Sequence, residues 1–348
     1  MKAFCIRAYR YAQRQLRAML HSNRYYSWYV VARNRSQAWL AQMNRHYTNE
    51  SVCIDSAKRK TIIFICNGMI EHGGLADRLR GIVSTYALCK DMEVDFRLLF
   101  TSPFPLTDYL LPNLYDWRTD PAEVHFNFQY ADRVALEISE ESEWQAERQY
   151  RYLRRCIERA AKPEVHVCTN AHFSYLRDFH TLFHELFRPA ERLEAELAQC
   201  QVALGTNYIS LSARFIGGLG DFTDTLSCGE LPAEHKQRLI NSCIEAIKHL
   251  HEEHPDQHIL VCSDSEHFLR VASSLSYTYT YAGEIHHLDV QATQAGYASY
   301  EKTFVDFLLI SRATEVCRLD GRWLHSSGFP RMASLIGNRP FRSIPINL

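Results

Sequence analysis

Residues 61–88 read TIIFICNGMIEHGGLADRLRGIVSTYAL. Thr61 to Cys66 is a short apolar run of the kind a buried strand requires, and a loop ending in Gly73 and Gly74 follows it. From Leu75 the apolar side chains recur at three- and four-residue spacing through Leu79, Ile82, Val83, Tyr86 and Leu88, which predicts a helix. Val94 to Phe100 predicts the next strand. Strand, glycine loop, helix and strand form a βαβ unit, the opening of a doubly wound sheet in which ligands approach the carboxyl ends of the strands.

Downstream the pattern loosens and then returns. Residues 101–140 carry four prolines and isolated aromatics, as irregular connections and short strands do. A charged helix over Glu141–Ala161, a short strand at Glu164–Cys168 and a helical region over Tyr175–Ala198 complete this part. From Asn207 the alternation is regular. Strands are expected at Tyr208–Ala213, Ile259–Cys262, Thr278–Tyr281 and Glu315–Leu319, and helices at His235–Glu253, Glu266–Leu275, Tyr300–Arg312 and Phe329–Ile336. The expected organisation is a basic helical extension over residues 1–50, an N-terminal Rossmann-like domain over 61–200 and a C-terminal one over 201–348.

A chain of 348 residues with 46% hydrophobic content can bury two cores. Its net charge of −1 argues against nucleic acid as partner, since neutralising phosphates needs a surplus of Lys and Arg. The total hides an asymmetry, because residues 1–49 hold nine Lys or Arg and no acidic residue. There Arg7, Arg10, Arg14 and Arg17 interleave with Phe4, Ala8, Tyr11, Ala12 and Met19, a basic amphipathic helix. Two readings stay open: residues 1–45 lie on an anionic membrane surface, or the helix packs on its own domain or on a partner. No run approaches the roughly 18 apolar residues of a membrane span, and the start lacks signal-peptide character. Eleven scattered cysteines read as reduced thiols, which places the chain in the cytoplasm, peripheral to its membrane if the basic helix engages lipid.

Four short stretches offer chemistry. Gly73 to Gly81, GGLADRLRG, stands at a strand-to-helix junction, where free amides suit an anion or sugar hydroxyl; a tight turn explains it equally well. Strand YISLSA runs into Arg214 and Phe215, then Gly217, Gly218, Gly220 and Asp221. Arg214 at a strand's carboxyl end is placed to grip a diphosphate, or else to pair with a carboxylate such as Asp221. Within CSDS, Asp264 can accept from a nucleobase edge or ribose hydroxyl and Ser263 and Ser265 can donate, or one of them caps the following helix. Ser326, Ser327, Gly328 and Phe329 lead into the last short helix, as a phosphate cradle or as a cap. Three successive strand ends therefore supply Arg, Asp and Ser-Ser-Gly, the makings of a nucleoside diphosphate site.

This set resembles the fucosyltransferase superfamily of glycosyltransferases with GT-B fold, in four short motifs across residues 61–340. GGLADRLRG is similar to the family's glycine-rich segment ending in an Asn-Arg or Asp-Arg pair, which implies that Asp77 and Arg78 stand beside the acceptor cleft. SLSARF resembles the His-x-Arg-Arg motif and implies that Arg214 binds the donor β-phosphate; Ser212 stands where His is frequent and Phe215 where a second Arg is. CSDS and HSSGF resemble the nucleotide-binding Ser-Asp and the last, phosphate-contacting motif. The resemblance implies an α/β protein of two Rossmann-like domains facing a cleft. It implies inverting transfer of fucose from GDP-fucose to a hydroxyl of a glycan acceptor, on a surface polysaccharide or a lipid-linked oligosaccharide. Gly73, Gly74 and Arg78 join Arg214, Ser263, Asp264, Ser326, Ser327, Gly328 and Phe329 as donor contacts, and Asp77 and Glu71 are the candidate bases beside Arg214.

No Asp-x-Asp occurs, so no metal or other cofactor is expected, and Arg214 with helix-start amides must meet the leaving group's charge. His249, His251, His254 and His258 straddle a helix end and Pro255, where a dipole already favours basic residues, and His180 with His184 lacks a third ligand. A nicotinamide oxidoreductase would need a glycine fingerprint that is missing. The remaining alternative is a catalytically inactive GT-B scaffold that binds nucleotide or glycan at a membrane surface.

Overall fold

The computed structural model describes residues 24–52, 59–137, 143–171, 178–222, 229–286, 288 and 296–346. The chain enters on helix α1 (Arg24–Asn44) and continues through β1 (Thr61–Cys66), α2 (Leu75–Met92), β2 (Asp95–Phe100), β3 (Leu110–Pro112), β4 (Ala131–Leu136), α3 (Glu143–Arg159), β5 (Glu164–Thr169), α4 (Phe179–Leu186), β6 (Phe187–Pro189) and α5 (Glu191–Leu204). Strands β2, β1, β5 and β4 pair in that order, all parallel. Strand β1 is buried on both faces: Ile62 and Phe64 enter one core, Ile63 and Ile65 another. Its unbroken apolar sequence follows from that position, because a parallel strand with both faces covered has no wet side to alternate with.

The second half runs β7 (Tyr208–Ala213), α6 (Ala233–Glu253), β8 (His258–Ser263), α7 (Glu266–Ala272), β9 (Thr278–Tyr279), α8 (Tyr297–Arg312), β10 (Glu315–Asp320), α9 (Gly328–Gly337) and β11 (Phe341–Pro345). Its sheet has the order β11-β10-β7-β8-β9, again parallel. Strands β1 and β7 have the bounds their sequence predicts. The helical region expected over Tyr175–Ala198 is interrupted instead. Pro189 lacks an N–H and forces Arg188 into extended backbone, so Phe187–Pro189 leaves the helix and pairs antiparallel with β3. Strand β11 was not expected; with Arg342, Ser343 and Pro345 on a sheet edge it carries no apolar run to reveal it.

The basic amphipathic pattern of residues 1–23 lies outside the described residues. The later part of the extension packs on its own half: Met43 is fully buried, with Trp39 and Leu40 against the core that holds Ile63 and Ile65. Arg35 pairs with Glu137 at 3.1 Å. Among the described residues no helix is long and apolar enough to cross a membrane.

An aromatic seam joins the halves. Tyr109, after β2, stacks on Phe304 of α8 at 4.2 Å and on Tyr297 at 4.7 Å, and its hydroxyl donates to the Tyr297 carbonyl at 2.5 Å. Phe104 meets Tyr300 at 4.7 Å. Helix α9 adds a second join by packing on α2, α4 and α8, where His180 bonds the Ile336 carbonyl at 2.5 Å. Within the first half, α2 lies so close to β5 that a Cβ on Gly81 would stand 1.9 Å from the Thr169 carbonyl oxygen. Gly81→Ala must therefore push the helix off the sheet, at a cost of about 1–3 kcal/mol. Gly74→Ala, where a Cβ meets nothing nearer than 4.0 Å, should leave stability unchanged. Equal urea midpoints for the two variants would contradict this packing.

Candidate functional site

At the carboxyl end of the second sheet, Ser212 of β7 is in register with Cys262 of β8 on one side and Arg318 of β10 on the other. The chain leaving each strand supplies the next layer: Arg214 after β7, Asp264 after β8 and Ser327 before α9. Together they line one cavity, whose opposite wall is Gly74 and Leu75 at the start of α2 in the first half. Six of the residues expected at the site thus converge there: Gly74, Arg214, Ser263, Asp264, Ser327 and Phe329.

The loop that presents Arg214 is held by Asp264. Its two carboxylate oxygens accept from the amides of Phe215 and Ile216, each at 2.8 Å. These bonds hold Ile216 at φ +45°, a left-handed conformation that costs a β-branched residue on the order of 1–3 kcal/mol. Burial raises the Asp264 pKa, while the Phe215 amide, the Arg214 charge and the Ile216 amide pull it back. Asp221 works elsewhere, accepting from the Ser265 hydroxyl at 2.7 Å and the His267 amide at 2.9 Å. Ser265, not Asp264, caps α7. Ser263 is half-buried and accepts from the Ser265 amide at 3.2 Å. Ser327 is the N-cap of α9, its hydroxyl accepting from the Phe329 amide at 3.3 Å, and Gly328 opens the helix ahead of Pro330, which has no N–H. Ser326 turns away, donating to Asp320 at 2.8 Å.

The first-half residues are placed differently. Asp77 accepts from the Gly74 amide at 3.1 Å and pairs with Arg80 at 2.8 Å, so its carboxylate closes the start of α2. Gly73, at φ +88°, makes the turn that brings that amide round. Arg78 is buried and donates to the Gly73 carbonyl, the Cys66 sulfur and the Ser102 carbonyl, at 3.0, 2.9 and 3.0 Å. It braces the loop from behind. Neither Arg78, Asp77 nor Glu71 lines the cavity; Glu71 is exposed on the loop before Gly73.

Three lining features escaped the sequence. Arg318 brings a second guanidinium, paired with Asp320 at 2.7 Å and donating to the Ser327 carbonyl at 2.9 Å. Lys302 and Asp306, one turn apart on α8, form a buried ion pair at 2.8 Å. Glu284 and His286, bonded at 2.8 Å, stand at the rim. An i,i+4 Lys-Asp pair looks like a solvated helix surface in sequence, and only an apolar environment around α8 could have signalled otherwise. Among the described residues no three His, Cys, Asp or Glu converge as metal ligands. His251 stacks on Tyr277, and His249 bonds Glu252.

No family model and no curated protein matches this chain in sequence. Solved structures do match its fold. The α-1,6-fucosyltransferase NodZ co-crystallised with GDP superposes with a TM-score of 0.52 at 12% identity, covering 80% of this chain and 93% of that one. The selenomethionine form of fucosyltransferase NodZ from Bradyrhizobium gives 0.52 at 13% identity, over 84% and 96%. Apo POFUT1 gives 0.49 at 11%, over 85% and 100%. The protein has a GT-B fold, two Rossmann-like units facing a cleft.

One lining loop carries a pH signature. His72, between Glu71 and Gly73, is buried against Trp39 and Phe64, and its pKa is pushed down to about 3, by burial foremost and by the Arg78 charge next. Unfolded, it titrates near 6.5, so between those values the unfolded state binds the extra proton and stability falls as pH falls, by up to about 1.4 kcal/mol per pH unit. Urea unfolding followed from pH 7 to pH 5 should show this loss, and His72→Phe should make the slope shallower. An unchanged slope would mean that His72 is not buried neutral.

Proposed function

We propose that this protein is an inverting glycosyltransferase that moves fucose from GDP-fucose to a hydroxyl of a glycan acceptor. One observation carries the reading: Arg214, the start of α9 at Ser327 and the Lys302–Asp306 pair open into a single cavity against Gly74 of the other half. A guanidinium beside the Ser327 hydroxyl and the Gly328 amide at a helix start fits a diphosphate, and a buried carboxylate fits the N–H groups of a base. That NodZ, with the same fold, was co-crystallised with GDP supports the choice of a guanine nucleotide.

In this reading the diphosphate lies between Arg214 and the Ser327–Gly328 start of α9, with Arg318 behind them. The acceptor oxygen attacks the anomeric carbon from the face opposite GDP, the bond from that carbon to the β-phosphate oxygen breaks, and GDP leaves with the electron pair. Arg214 lowers the barrier by meeting the charge that grows on the leaving oxygens, and neither metal nor other cofactor enters. Asp264 contributes by fixing the Arg214 loop, and Ser263 by lining the cavity beside it. Phe329, packed on Phe307 at 4.9 Å, walls the site. The acceptor's proton passes to Glu71, since Asp77 is engaged in its cap, or to solvent once the new bond has formed. The engagement of Asp77 also favours the second reading, an inactive scaffold that binds nucleotide without transfer.

GDP at about a hundredfold its Kd should stabilise the full chain by about 2.7 kcal/mol, with UDP and CMP giving less. Arg214→Ala should remove the GDP effect. A screen of nucleotide sugars for donor hydrolysis then separates the readings: GDP-fucose turnover supports the transferase, whereas GDP binding with no sugar released supports the scaffold. If no nucleotide stabilises the protein, both readings fail.

We also propose that the acceptor is carried at the cytoplasmic membrane face, with the basic start of the chain holding the enzyme there. Because Trp39, Leu40 and Met43 belong to the fold, the test removes residues 1–23 rather than the whole extension. Loss of binding to vesicles with anionic lipid, with GDP binding intact, is the expected result. Undiminished vesicle binding would rule out this anchor.

A further inference from the structure

The Lys302–Asp306 pair is an unusual use of a buried helix face. Their neighbours on α8, Phe304, Val305, Phe307 and Leu308, are all apolar and buried, and both charged residues are at least nine-tenths buried themselves. An ion pair so placed gains no more stability than an apolar pair of the same volume would, because desolvation offsets the attraction. Its geometry is also incomplete. Lys302 donates to the Tyr281 carbonyl at 2.7 Å and to Asp306 Oδ2 at 2.8 Å, which uses two of the ammonium's three N–H groups. Asp306 Oδ1 is buried without a hydrogen-bond partner. Both residues line the cavity. A third N–H of Lys302 and Oδ1 of Asp306, beside the Cys262 thiol, therefore stand side by side in the buried part of the cavity.

We propose that Lys302 is a specificity-determining residue that donates to O6 of guanine, beside Asp306, whose carboxylate the reading above already sets against the N–H groups of the base. This rests on the nucleoside diphosphate reading above and adds to it the residue that decides the base. Guanine presents an acceptor beside two donors, which complements Lys302 and Asp306 in order. Adenine and cytosine present an amino group where O6 would be and a lone pair where N1–H would be, so each opposes both side chains. Uracil keeps the order but lacks the second amino donor. A site whose buried polar groups are left unpaired by the wrong ligand discriminates strongly. Burial, the largest single influence, pulls the Lys302 pKa down, but the Asp306 charge, the Cys262 thiol and the Asp306 hydrogen bond together outweigh it and the net shift is upward, so the donor stays protonated.

The test compares GDP, 6-thio-GDP and IDP on the full chain by calorimetry. Sulfur at position 6 is a weak acceptor and leaves N1–H and the 2-amino group in place; IDP keeps O6 and lacks the 2-amino group. Wild type should bind 6-thio-GDP about tenfold or more weakly than GDP, the loss of one charge-assisted hydrogen bond. Lys302→Met should bring the two within about twofold of each other, while IDP remains weaker than GDP through Asp306. Equal affinities of the wild type for GDP and 6-thio-GDP would overturn the proposal, and so would a gap that survives in Lys302→Met. The wild-type comparison decides even if Lys302→Met does not fold. Failure of GDP itself to bind would instead remove the underlying nucleotide reading, and this proposal with it.

Discussion

The stacking of Tyr109 between Phe304 and Tyr297 sets the relation between the two sheets, and the cavity exists because of that relation. Helix α8 has two working faces: Tyr297, Tyr300 and Phe304 lie against the first half, while Lys302, Thr303 and Asp306 lie on the cavity. Aromatic pairs of this kind add on the order of 0.5–1.5 kcal/mol each beyond the area they bury. Several in one seam make a joint that two polar domain surfaces would not provide. Gly74 can stand opposite Ser327 only because α8 and α9 are pressed onto the first half.

Around that joint the polar residues divide their work in a consistent way. Those bonded to backbone, Asp77, Arg78 and Asp264, shape loops. Those that open on the cavity, Arg214, Arg318, Lys302 and Asp306, carry charge. Asp264 shows why the division matters: by taking the Phe215 and Ile216 amides it holds a strained turn and aims the preceding Arg214. The second guanidinium, absent at position 215, arrives from β10 as Arg318. A neighbouring strand reaches the same point in space because parallel strands bring their carboxyl ends to one edge.

Much of this was legible in the residues. The TIIFIC and YISLSA runs marked their strands to the residue: both are buried almost throughout, the first apolar almost end to end and the second broken only by the small Ser210 and Ser212, and both end sharply at polar loops. The glycine turns and the serine cap before α9 were legible because backbone demands at those points admit few residue types. Strand β11 and the break at Phe187–Pro189 were not. An edge strand needs no apolar run, and a helix next to a proline can stop or shift with the pairing offered by a distant strand.

What the sequence by itself determined was the local grammar: which segments become strands and helices, and that Arg214, Asp264 and Ser327 follow strand ends of one sheet. The tertiary structure decided which side chains line the cavity and which are spent on backbone. Asp264 and Asp77 have the composition of site residues and are bonded to backbone; Lys302 and Asp306 have the composition of a solvated surface and are buried in the cavity. The reason is physical. A carboxylate's role depends on which donors lie within about 3 Å of it, and those donors come from segments far apart in sequence that only packing brings together.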